Sequence, residues 1–477
     1  MPMTRAPTAF ETLIGGLDPA VLPASPPGTD PRYCRDWSGD YAGAPATVLR
    51  PGTAAEAAGI VRRCAELGLS VVPHGGHTGL VGGATPSMAG DEVVVSLERM
   101  TRVRALDPQN FSMVVEAGCI LEQVQEAARE ADLYFPLALG AQGSCQIGGN
   151  ASTNAGGLNV LRYGMMRDLV LGLEGVLPDG RIWDGLKVLR KNNVGYDLKQ
   201  LFVGAEGTLG LVTAVALKLF PRPTQVETAL VAVDSVAAAM ALYATARRGL
   251  SDLLSAFELI PQRGIALALD VMPGLRAPFA TDAPAYVLME ASACGAVDLK
   301  GLFEGFLGEM LETGRIADGA LAASSAQAAD FWRMREGMIE AQARHGRHLR
   351  TDISVPISAI PDFIAETDRR LGALTPGSEL LAYGHVGDGN IHYNVLPPRD
   401  LDEAETVALI RQCEEEIFAV TDSFSGSISA EHGIGLSKRA AFLDRISPLH
   451  RDMLERIKTA FDPAGTMNPG RILPKSG

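Results

Sequence analysis

The hydrophobic positions of the chain alternate between the period of a strand and the period of a helix. Residues 46–52, "ATVLRPG", predict a strand and a turn. Residues 53–68, "TAAEAAGIVRRCAELG", predict an amphipathic helix that begins at Thr53 and has Glu56 three residues later. A second strand, "LSVVPHGG" at 69–76, follows directly. The ordered part of the chain therefore opens with a strand–helix–strand unit.

The same alternation continues through the rest of the sequence. Pro-Asp-Gly at 178–180 predicts the turn of a hairpin in "LVLGLEGVLPDGRIW" (169–183). The most apolar window, "ALVAVDSVAAAMALYATA" (229–246), is interrupted by Asp234, which favours a strand followed by a helix over a membrane span. The second half alternates strands and helices, as an α+β sheet with helices on one face does. Pro221 and Pro223 mark the best candidate for a domain boundary.

Length, charge and cysteine content narrow the class of protein. A chain of 477 residues is too long for one core, so two domains are expected. The 6 cysteines form no CxxC pair, which indicates neither a zinc ribbon nor a disulfide framework. The net charge of -14 argues against nucleic acid or an anionic membrane surface as partner, but leaves room for an anionic substrate. The first thirty residues carry acids and lack a long apolar core, so we expect no targeting peptide and a cytoplasmic location.

Two glycine-rich segments suggest a binding site in the first half. "VVPHGGHTGLVGGATP" (71–86) includes the end of a predicted strand, and "GAQGSCQIGGNASTNAGGLNVLRYG" (140–164) is nearly uncharged. Such loops expose successive backbone N–H groups, and the missing Cβ atoms let a diphosphate approach closely. The sequence contains no GxGxxG, so a Rossmann NAD site has no support. Two such loops predict one long anionic ligand such as a dinucleotide, although glycines also serve ordinary turns.

The segment Tyr383–Asn394, "YGHVGDGNIHYN", places two of the chain's 8 histidines around Gly-Asp-Gly. Asp-Gly is a strong signal for a two-residue hairpin turn. A turn at Asp388–Gly389 would pair residue 387 with 390, 386 with 391, and His385 with His392. Cross-strand neighbours have Cβ atoms roughly 4.5–5.5 Å apart, a distance that suits two ligands of one metal ion. A surface hairpin with two incidental histidines is the alternative.

The longer motifs resemble a known family in their order along the chain. "RPGTAAEAAGIVRRC", "PHGGHTGLVGG", "GSCQIGGNASTNAGG…RYG", "GVLPDGRI" and "FVGAEGTLGLVT" resemble the FAD domain of the vanillyl-alcohol oxidase superfamily. "FWRMREGMIEA", "DISVP", "GHVGDGNIHYN", "ISAEHGIGLSKR" and "FDPAGTMNPGRIL" resemble flavoenzymes that oxidise D-2-hydroxy acids, among them D-lactate, glycolate-oxidase-subunit and D-2-hydroxyglutarate dehydrogenases.

The resemblance implies an α+β fold, in which a PCMH-type FAD-binding domain is joined to an α+β substrate domain of the FAD-oxidase C-terminal type. We expect an N-terminal segment at 1–43, the FAD-binding domain at 44–222 and the substrate domain at 223–477, with a C-terminal tail that returns to the flavin domain.

The resemblance also implies which residues contact FAD, with Gly75–Leu80 holding its diphosphate. The implied cofactor-binding residues are Pro73, Gly75, Gly76, His77, Thr78, Gly79, Leu80, Gly140, Ser144, Gly149, Asn150, Thr153, Gly156, Glu206, Gly207 and Asn468. His77 departs from the Asn, Gly or Ser that relatives usually carry there. We expect it to hydrogen-bond the flavin; a covalent tether, which Gly-Gly-His provides in some relatives, is the alternative.

Flavin-linked oxidation of a 2-hydroxy acid requires removal of the hydroxyl proton, and a divalent metal that chelates hydroxyl and carboxylate assists by lowering the hydroxyl pKa. His385, His392 and Glu431, the last from "SAEHGIG", form the predicted ligand set, and the resemblance implies the same three residues. Two histidines and one carboxylate suit Zn²⁺, and Mn²⁺ or Fe²⁺ would also fit. His432 is the predicted general base, because imidazole groups titrate near neutral pH; a packing role near Gly433 is the alternative.

Substrate anions need local cations in this acidic protein. Arg335 and Arg350 are the candidates because guanidinium binds carboxylate bidentately, with exposed salt bridges as the alternative role. Asn394 is expected to hydrogen-bond the substrate. The D-2-hydroxyglutarate enzymes have Thr where this chain has Ile339, and Lys where it has Arg350. Arg335 matches an Arg of those enzymes, and Arg350 keeps the positive charge of their Lys for a distal carboxylate. D-2-hydroxyglutarate is therefore the leading expected substrate, followed by D-malate, D-lactate and glycolate.

Three classes of function fit these patterns. The first is a flavin dehydrogenase that passes electrons to a separate acceptor, such as an electron-transfer flavoprotein, a quinone or a cytochrome. The second is a non-redox flavoenzyme, which the predicted His, His, Glu set disfavours. The third is an FAD-binding protein without turnover. Only the first would bleach the yellow flavin when mixed anaerobically with a D-2-hydroxy acid. The expected partners are a small anionic substrate and that acceptor, without nucleic acid, and a homodimer stays open.

Overall fold

The computed structural model describes residues 8–22 and 30–475, and these pack as two compact units. The first unit contains the chain up to Gly157, the segment Gly164–Arg222 and the chain from Glu431 onward. The second unit contains Leu158–Tyr163 and Pro223–Ala430. The parts of the N-terminal segment at 1–7 and 23–29 lie outside the described residues.

Helices occur in both units. In chain order the α-helices are α1 (Ala9–Ile14), α2 (Ala54–Glu66), α3 (Leu121–Glu130), α4 (Ile147–Ser152), α5 (Val160–Tyr163), α6 (Met166–Leu169), α7 (Lys199–Phe202), α8 (Val236–Gly249), α9 (Gln262–Val271), α10 (Leu299–Glu312), α11 (Ser325–His345), α12 (Ile360–Leu374), α13 (Glu403–Ser423), α14 (Arg439–Arg445) and α15 (Pro448–Phe461). Across residues 8–22 and 30–475, no helix has the length and apolar character needed to cross a membrane.

Strands form sheets in both units. In chain order they are β1 (Thr47–Leu49), β2 (Ser70–His74), β3 (Glu92–Ser96), β4 (Val103–Asp107), β5 (Ser112–Glu116), β6 (Leu133–Tyr134), β7 (Val170–Val176), β8 (Ile182–Gly185), β9 (Leu211–Lys218), β10 (Phe220–Pro221), β11 (Gln225–Val233), β12 (Leu254–Pro261), β13 (Ala285–Ala293), β14 (Asp318–Leu321), β15 (Ile353–Ser354), β16 (Glu379–Tyr383) and β17 (Asn390–Leu396).

The first unit combines a small parallel sheet with a larger antiparallel one. The parallel sheet has the order β1-β3-β2, and the antiparallel sheet has the order β4-β5-β9-β7-β8. Helix α2 links β1 to β2 and begins as predicted, because the Thr53 hydroxyl accepts a hydrogen bond from the Glu56 N–H at 3.2 Å. Ile60 and Val61 on its inner face are buried against the parallel sheet. The glycine-rich loop at 75–83 starts where β2 ends.

The second unit is an α+β assembly around antiparallel sheets. Its four-stranded sheet has the order β12-β13-β11-β14, and a three-stranded sheet has the order β15-β17-β16. A bridge between Leu259 and Gly384 joins β12 to the end of β16. Helix α11 packs over this region through Phe331, Met334 and Met338. The predicted strand-then-helix at 229–246 is observed as β11 and α8.

Candidate active site

The first unit contains a cavity of about 290 Å³ at the two glycine-rich segments. Most predicted cofactor residues line it, together with Glu431 and His432 from the C-terminal part of the chain. The predicted residues in its wall are Pro73, Gly75, Gly76, His77, Thr78, Gly79, Leu80, Gly140, Gly149, Asn150, Thr153, Gly156, Glu206, Gly207 and Asn468. Ser144 instead lines a neighbouring cavity of about 660 Å³, which shares Gly75, Gly76 and His77 with the first.

The glycines of this cavity play two distinct parts. A Cβ atom added at Gly79, Gly140 or Gly149 would meet no protein atom within 4 Å, so the space beside these residues is open to a ligand. Gly207 is instead required by packing. Its φ is +72°, and a Cβ there would lie 2.7 Å from Cγ of Pro73.

Several buried polar atoms around the cavity lack a hydrogen-bond partner within the described chain. They are Oε1 of Gln146, Oδ1 of Asn150, Oδ1 of Asn468 and Nδ1 of His74. Buried polar atoms are nearly always paired in folded proteins, so such a cluster indicates a polar ligand. Together with the open glycine faces, these acceptors fit a flavin dinucleotide. Gln146 was not among the residues predicted from sequence, although it lies inside the second glycine-rich segment.

Three residues of the cavity wall other than glycine have left-handed backbone conformations. Their φ angles are +59° at His77, +51° at Glu206 and +43° at Asn468. This conformation is uncommon for L-residues and costs about 1–3 kcal/mol, and it is often found at binding sites. Its concentration around one cavity supports a functional role for that cavity.

Glu206 holds the segment that carries His432. Its carboxylate accepts hydrogen bonds from the N–H groups of Ile434 at 2.7 Å and Gly435 at 2.8 Å. Burial raises the pKa of this carboxyl, although these N–H groups act in the opposite direction. The Asn468 side chain donates to the carbonyl of Glu206 at 2.6 Å. These contacts fix both the His432 segment and the C-terminal tail at the cavity wall.

His77 lies where the two cavities meet. Its ring stacks on His74 with centroids 5.8 Å apart, and burial lowers the pKa of both imidazoles, that of His74 to about 4. Nε2 of His74 lies 2.9 Å from the carbonyl oxygen of Arg32, so it carries the proton and Nδ1 is an acceptor.

The second unit brings His385 and His392 together by a route different from the predicted hairpin. The pairing of 385 with 392 is wrong, because His392 on β17 pairs with Tyr383 on β16, and His385 lies in a six-residue connection. Gly384 and Gly387 in that connection hydrogen-bond to β12, so pairing with β12 overrides the Asp-Gly turn signal. The two imidazoles nevertheless lie close, with ring centroids 5.7 Å apart.

The hydrogen bonds of both histidines fix the tautomer that a metal requires. Nδ1 of His385 bonds to a carboxylate oxygen of Glu258, and Nδ1 of His392 lies 3.3 Å from the carbonyl oxygen of Thr351. Both partners are acceptors, so each Nδ1 carries a proton, and in the neutral form of each ring the lone pair lies on Nε2. Metal-binding histidines are oriented in this way. Two imidazoles on one Zn²⁺ ion have centroids roughly 5–6 Å apart, so this pair fits a divalent metal.

The predicted third ligand, Glu431, belongs to the other unit. Within residues 8–22 and 30–475, no group of three or more His, Cys, Asp or Glu side chains is arranged to hold a metal ion. The three-residue ligand set therefore stays a prediction, and only the histidine pair is observed as a local arrangement.

Arg335 forms a buried ion pair that the sequence did not predict. Its Nε donates to Glu258 at 2.9 Å, both side chains are almost fully buried, and its guanidinium carbon lies 4.7 Å from the ring centre of Tyr383. Its two terminal nitrogens have no hydrogen-bond partner among the residues that the structure describes. Glu258 was missed, although a single acid in the apolar strand "LSAFELIP" is a detectable signal.

Arg350 and Asn394 differ in whether their side-chain hydrogen-bond donors are already in use. Arg350 is exposed and makes no hydrogen bond or ion pair within the described parts of the chain, and its charge acts on the nearby Tyr383. The buried Asn394 amide instead donates to Gln342 at 2.7 Å and to the Tyr383 hydroxyl at 3.0 Å. Its oxygen accepts from the N–H of Thr351 at 3.1 Å. Asn394 therefore braces Tyr383 and has both of its donors in use.

Family models match most of the chain. Residues 45–185 match the FAD binding domain, and residues 222–472 match the FAD linked oxidases, C-terminal domain. The chain belongs to the FAD-linked oxidase family. The predicted resemblance, the two-domain α+β flavoenzyme fold and FAD as cofactor are thereby confirmed.

Named relatives are similar over most of their length. A rice protein named probable D-2-hydroxyglutarate dehydrogenase, mitochondrial, is 39% identical over 92% of this chain and 77% of its own. An Arabidopsis thaliana protein named D-2-hydroxyglutarate dehydrogenase, mitochondrial, is 38% identical over the same shares. A Xanthomonas citri protein named D-2-hydroxyglutarate dehydrogenase is 38% identical over 95% of this chain and 94% of its own. The predicted cytoplasmic location is wrong, because the plant and animal relatives are named mitochondrial.

Solved structures share the fold at low sequence identity. The 4-ethylphenol oxidase from Gulosibacter chungangensis is 18% identical and covers 99% of both chains with a TM-score of 0.73. p-Cresol methylhydroxylase is 15% identical and covers 93% of this chain and 92% of its own, also with a TM-score of 0.73. At this identity the likeness establishes the fold alone.

Proposed function

We propose that the chain oxidises a D-2-hydroxy acid to the 2-oxo acid with FAD, and that D-2-hydroxyglutarate is the substrate. The observation that carries this proposal is the position of His432, which lines the same cavity as both glycine-rich segments. An imidazole base thus stands beside the space that fits the cofactor. The names of the rice, Arabidopsis and Xanthomonas relatives support the choice of substrate.

In this proposal the chain's residues divide the reaction between them. His432 receives the proton from the substrate hydroxyl on its imidazole ring. When bound, FAD supplies the acceptor for the hydride that leaves Cα. Glu206 keeps the 431–435 segment in place through its two backbone hydrogen bonds, so that the imidazole is held at the cavity. The electrons then leave for a separate acceptor, for which we propose an electron-transfer flavoprotein, a quinone or a cytochrome.

His385 and His392 are proposed to hold a divalent metal, with Zn²⁺ as first choice and Glu431 as third ligand. The support is the Nδ1 hydrogen bond of each ring, which puts the lone pair of the neutral imidazole on Nε2, the atom that would bind the metal. When bound, the metal would lower the pKa of the substrate hydroxyl and anchor the adjacent carboxylate. Chelation, or His392→Ala, should abolish substrate oxidation and leave the absorbance spectrum of FAD unchanged. Full activity of a demonstrably metal-free sample would refute this part.

The distal carboxylate of D-2-hydroxyglutarate requires a further cation, for which we propose Arg335 and Arg350. Arg335 offers its terminal nitrogens, since Nε is already bound to Glu258. Arg350 offers an exposed guanidinium without an ion pair inside the described residues. Asn394 is better assigned to bracing Tyr383 than to a direct substrate bond.

D-lactate is the second candidate substrate. A relative from Schizosaccharomyces pombe, 35% identical, is named putative D-lactate dehydrogenase. Ile339 also favours a smaller substrate, because it is 51% exposed and cannot donate a hydrogen bond as the expected Thr would. D-malate is intermediate in size. A panel of these hydroxy acids in a dye-linked assay distinguishes them by kcat/KM.

The central experiment mixes the FAD-loaded protein with D-2-hydroxyglutarate in the absence of oxygen. Loss of the yellow flavin absorbance, with formation of one 2-oxoglutarate per flavin, is the expected result. If D-lactate alone bleaches the flavin, D-lactate replaces D-2-hydroxyglutarate as the proposed substrate. If no D-2-hydroxy acid bleaches it, the proposed function is refuted. A homodimer is also proposed, and its mass in solution tests it.

A further inference from the structure

Glu258 connects two residues to which the proposed function gives different tasks. One of its carboxylate oxygens binds Nδ1 of His385, and the other accepts from Nε of Arg335 at 2.9 Å. The side chain is 1% exposed, so water reaches neither contact. A single buried carboxylate thus orients a proposed metal ligand and a proposed substrate anchor.

Backbone pairing places Glu258 next to His385 with little freedom. The N–H of Leu259 donates to the carbonyl of Gly384 at 2.9 Å, and the N–H of Gly384 donates back at 3.2 Å. The N–H of Gly387 donates to the carbonyl of Phe257 at 3.3 Å. The connection that carries His385 is therefore fastened to β12 on both sides of Glu258.

We propose that Glu258 is a positioning residue that holds the metal-binding imidazole of His385 and the substrate-binding guanidinium of Arg335 in fixed orientations. This inference rests on the proposed function of those two residues. A carboxylate has two acceptor oxygens and can serve both donors at once. It also supplies the negative charge that a buried guanidinium needs.

The charges of the cluster agree with this role. A guanidinium stays protonated in proteins, so the buried carboxylate beside Arg335 supplies the compensating negative charge. An ionised carboxylate can only accept, so the imidazole donates through Nδ1, and in the neutral ring the lone pair then lies on Nε2. Without the carboxylate, nothing in this contact selects between the two tautomers.

The test uses FAD-loaded protein freed of metal and titrated with ZnCl₂ in a calorimeter. Glu258→Gln has nearly the same size but only one acceptor oxygen, and its amide group repels one of the two donors. We expect the Zn²⁺ affinity to fall about 10- to 100-fold, as for other partners of metal-binding histidines. The KM for D-2-hydroxyglutarate should rise about 10-fold, from a lost charge-assisted hydrogen bond.

A second readout needs neither metal nor activity. In protein labelled with ¹⁵N-histidine, the ring nitrogens report the tautomer, and His385→Gln identifies the signal of His385. Wild type should show the Nδ1–H form at this position, and Glu258→Gln should show a mixture of both forms. An unchanged tautomer in a folded Glu258→Gln protein would overturn the inference, because a merely structural carboxylate would not control it.

Glu290→Gln provides the matched control. Glu290 lies on the adjacent strand β13, is partly buried and accepts hydrogen bonds from Trp332 and Thr228 instead of from His385 or Arg335. Its substitution should leave Zn²⁺ affinity and the His385 tautomer at wild-type values. Equal losses in both variants would overturn the inference, since they would indicate a general effect of removing a buried charge.

The outcomes separate this inference from the proposed function. If His385→Ala abolishes Zn²⁺ binding and Glu258→Gln retains wild-type affinity, the positioning role alone fails. If wild type and His385→Ala bind Zn²⁺ equally, the proposed metal site fails and the inference falls with it. If Glu258→Gln does not fold, Glu258→Asp takes its place. The shorter acid keeps the charge but cannot span both partners, so wild-type affinity and tautomer in that variant would overturn the inference.

Discussion

The polar centres of the two units are formed by different kinds of groups, backbone in the first and charged side chains in the second. In the first unit the cavity is shaped by backbone, since Gly79, Gly140 and Gly149 line it and leave open space where side chains would stand. In the second unit the centre is built from charged side chains, with Glu258 and Arg335 almost fully buried. The first centre is formed by the open space beside glycine residues, and the second by opposite charges that compensate one another.

This difference predicts opposite sensitivities. A backbone cavity is damaged by adding atoms, because an extra methyl group occupies space that belongs to the ligand. A buried charge cluster is damaged by removing atoms, because an unpaired charge left inside a protein costs about 3–5 kcal/mol. Substitutions that add or remove groups in each unit therefore test whether the contrast holds.

His432 is the strongest test, because it is the one side chain of the flavin cavity to which we assign proton transfer. His432→Gln should slow reduction of FAD by D-2-hydroxyglutarate about 10²- to 10⁴-fold, the usual effect of losing a general base. Anaerobic stopped-flow absorbance measures this rate, and the FAD content should stay at the wild-type level. His450→Gln, an exposed histidine on α15, is the control. A wild-type rate in His432→Gln would mean that His432 is not the general base. The first centre would then act through its backbone alone.

Arg350 tests whether every charge of the second unit is structural. Arg350→Ala removes an exposed cation that has no ion pair with the described residues, so stability should not change. A charge-assisted hydrogen bond is worth about 1.5–3 kcal/mol, so kcat/KM for D-2-hydroxyglutarate should fall about 10- to 150-fold. D-lactate has no second carboxylate and should be oxidised almost as before.

The control for Arg350 is Arg344→Ala, another exposed arginine, which pairs with Glu340 on the same helix. It should alter neither substrate's kinetics. Equal losses on both substrates in Arg350→Ala would place Arg350 at the shared carboxylate instead. Arg335→Ala is a poorer test, because it would leave Glu258 buried without its cation and would destabilise the unit.

The first centre could be predicted from sequence because its signals are local. Helix α2, the hairpin at 178–180 and both glycine-rich segments are each specified by residues close together in the chain. Family resemblance then assigned cofactor residues to those segments, and nearly all of them line one cavity. Turn chemistry and helix capping act over a few residues, so the pattern alone identifies them.

The second centre could not be predicted to the same extent because its partners are distant in sequence. Glu258 is 77 residues from Arg335 and 127 residues from His385. The Asp-Gly signal at 388–389 favoured a tight hairpin, but pairing of Gly384 and Gly387 with β12 outweighed it. Glu258 was not predicted as a site residue, and nothing in the sequence identifies the groups that compensate its charge.

Gly149→Ala tests the flavin cavity by adding a single methyl group. The new Cβ would meet no protein atom within 4 Å, so the protein without FAD should unfold at the wild-type temperature. If FAD occupies that space, crowding should cost about 1 kcal/mol or more and raise the Kd for FAD at least about 5-fold. Fluorescence titration with FAD measures it. Gly308→Ala, which also meets nothing within 4 Å but lies in α10, should bind FAD normally.

Glu290 offers the smallest and most specific test, since it is a partly buried acid in the second unit with no compensating cation among the described residues. Trp332 Nε1 and the Thr228 hydroxyl each donate to it at 3.0 Å, and in the described chain it has no ion pair. Burial raises the pKa of its carboxyl, so the folded state favours the protonated form. Glu290→Gln imitates that form, and it should therefore stabilise the protein slightly at neutral pH.

The pH dependence of this effect follows from linkage. Below the unfolded pKa of about 4.3 the carboxyl is protonated in both states, so wild type and Glu290→Gln should have equal free energies of unfolding. As the pH rises through the higher folded pKa, wild type must bury a charge and loses stability, and the difference reaches its full size above that pKa. Urea denaturation of both proteins at pH 4 and pH 7.5 measures it. A variant less stable than wild type at pH 7.5 would mean that the two hydrogen bonds outweigh charge burial. In that case uncompensated charges as well as compensated ones would stabilise the second unit.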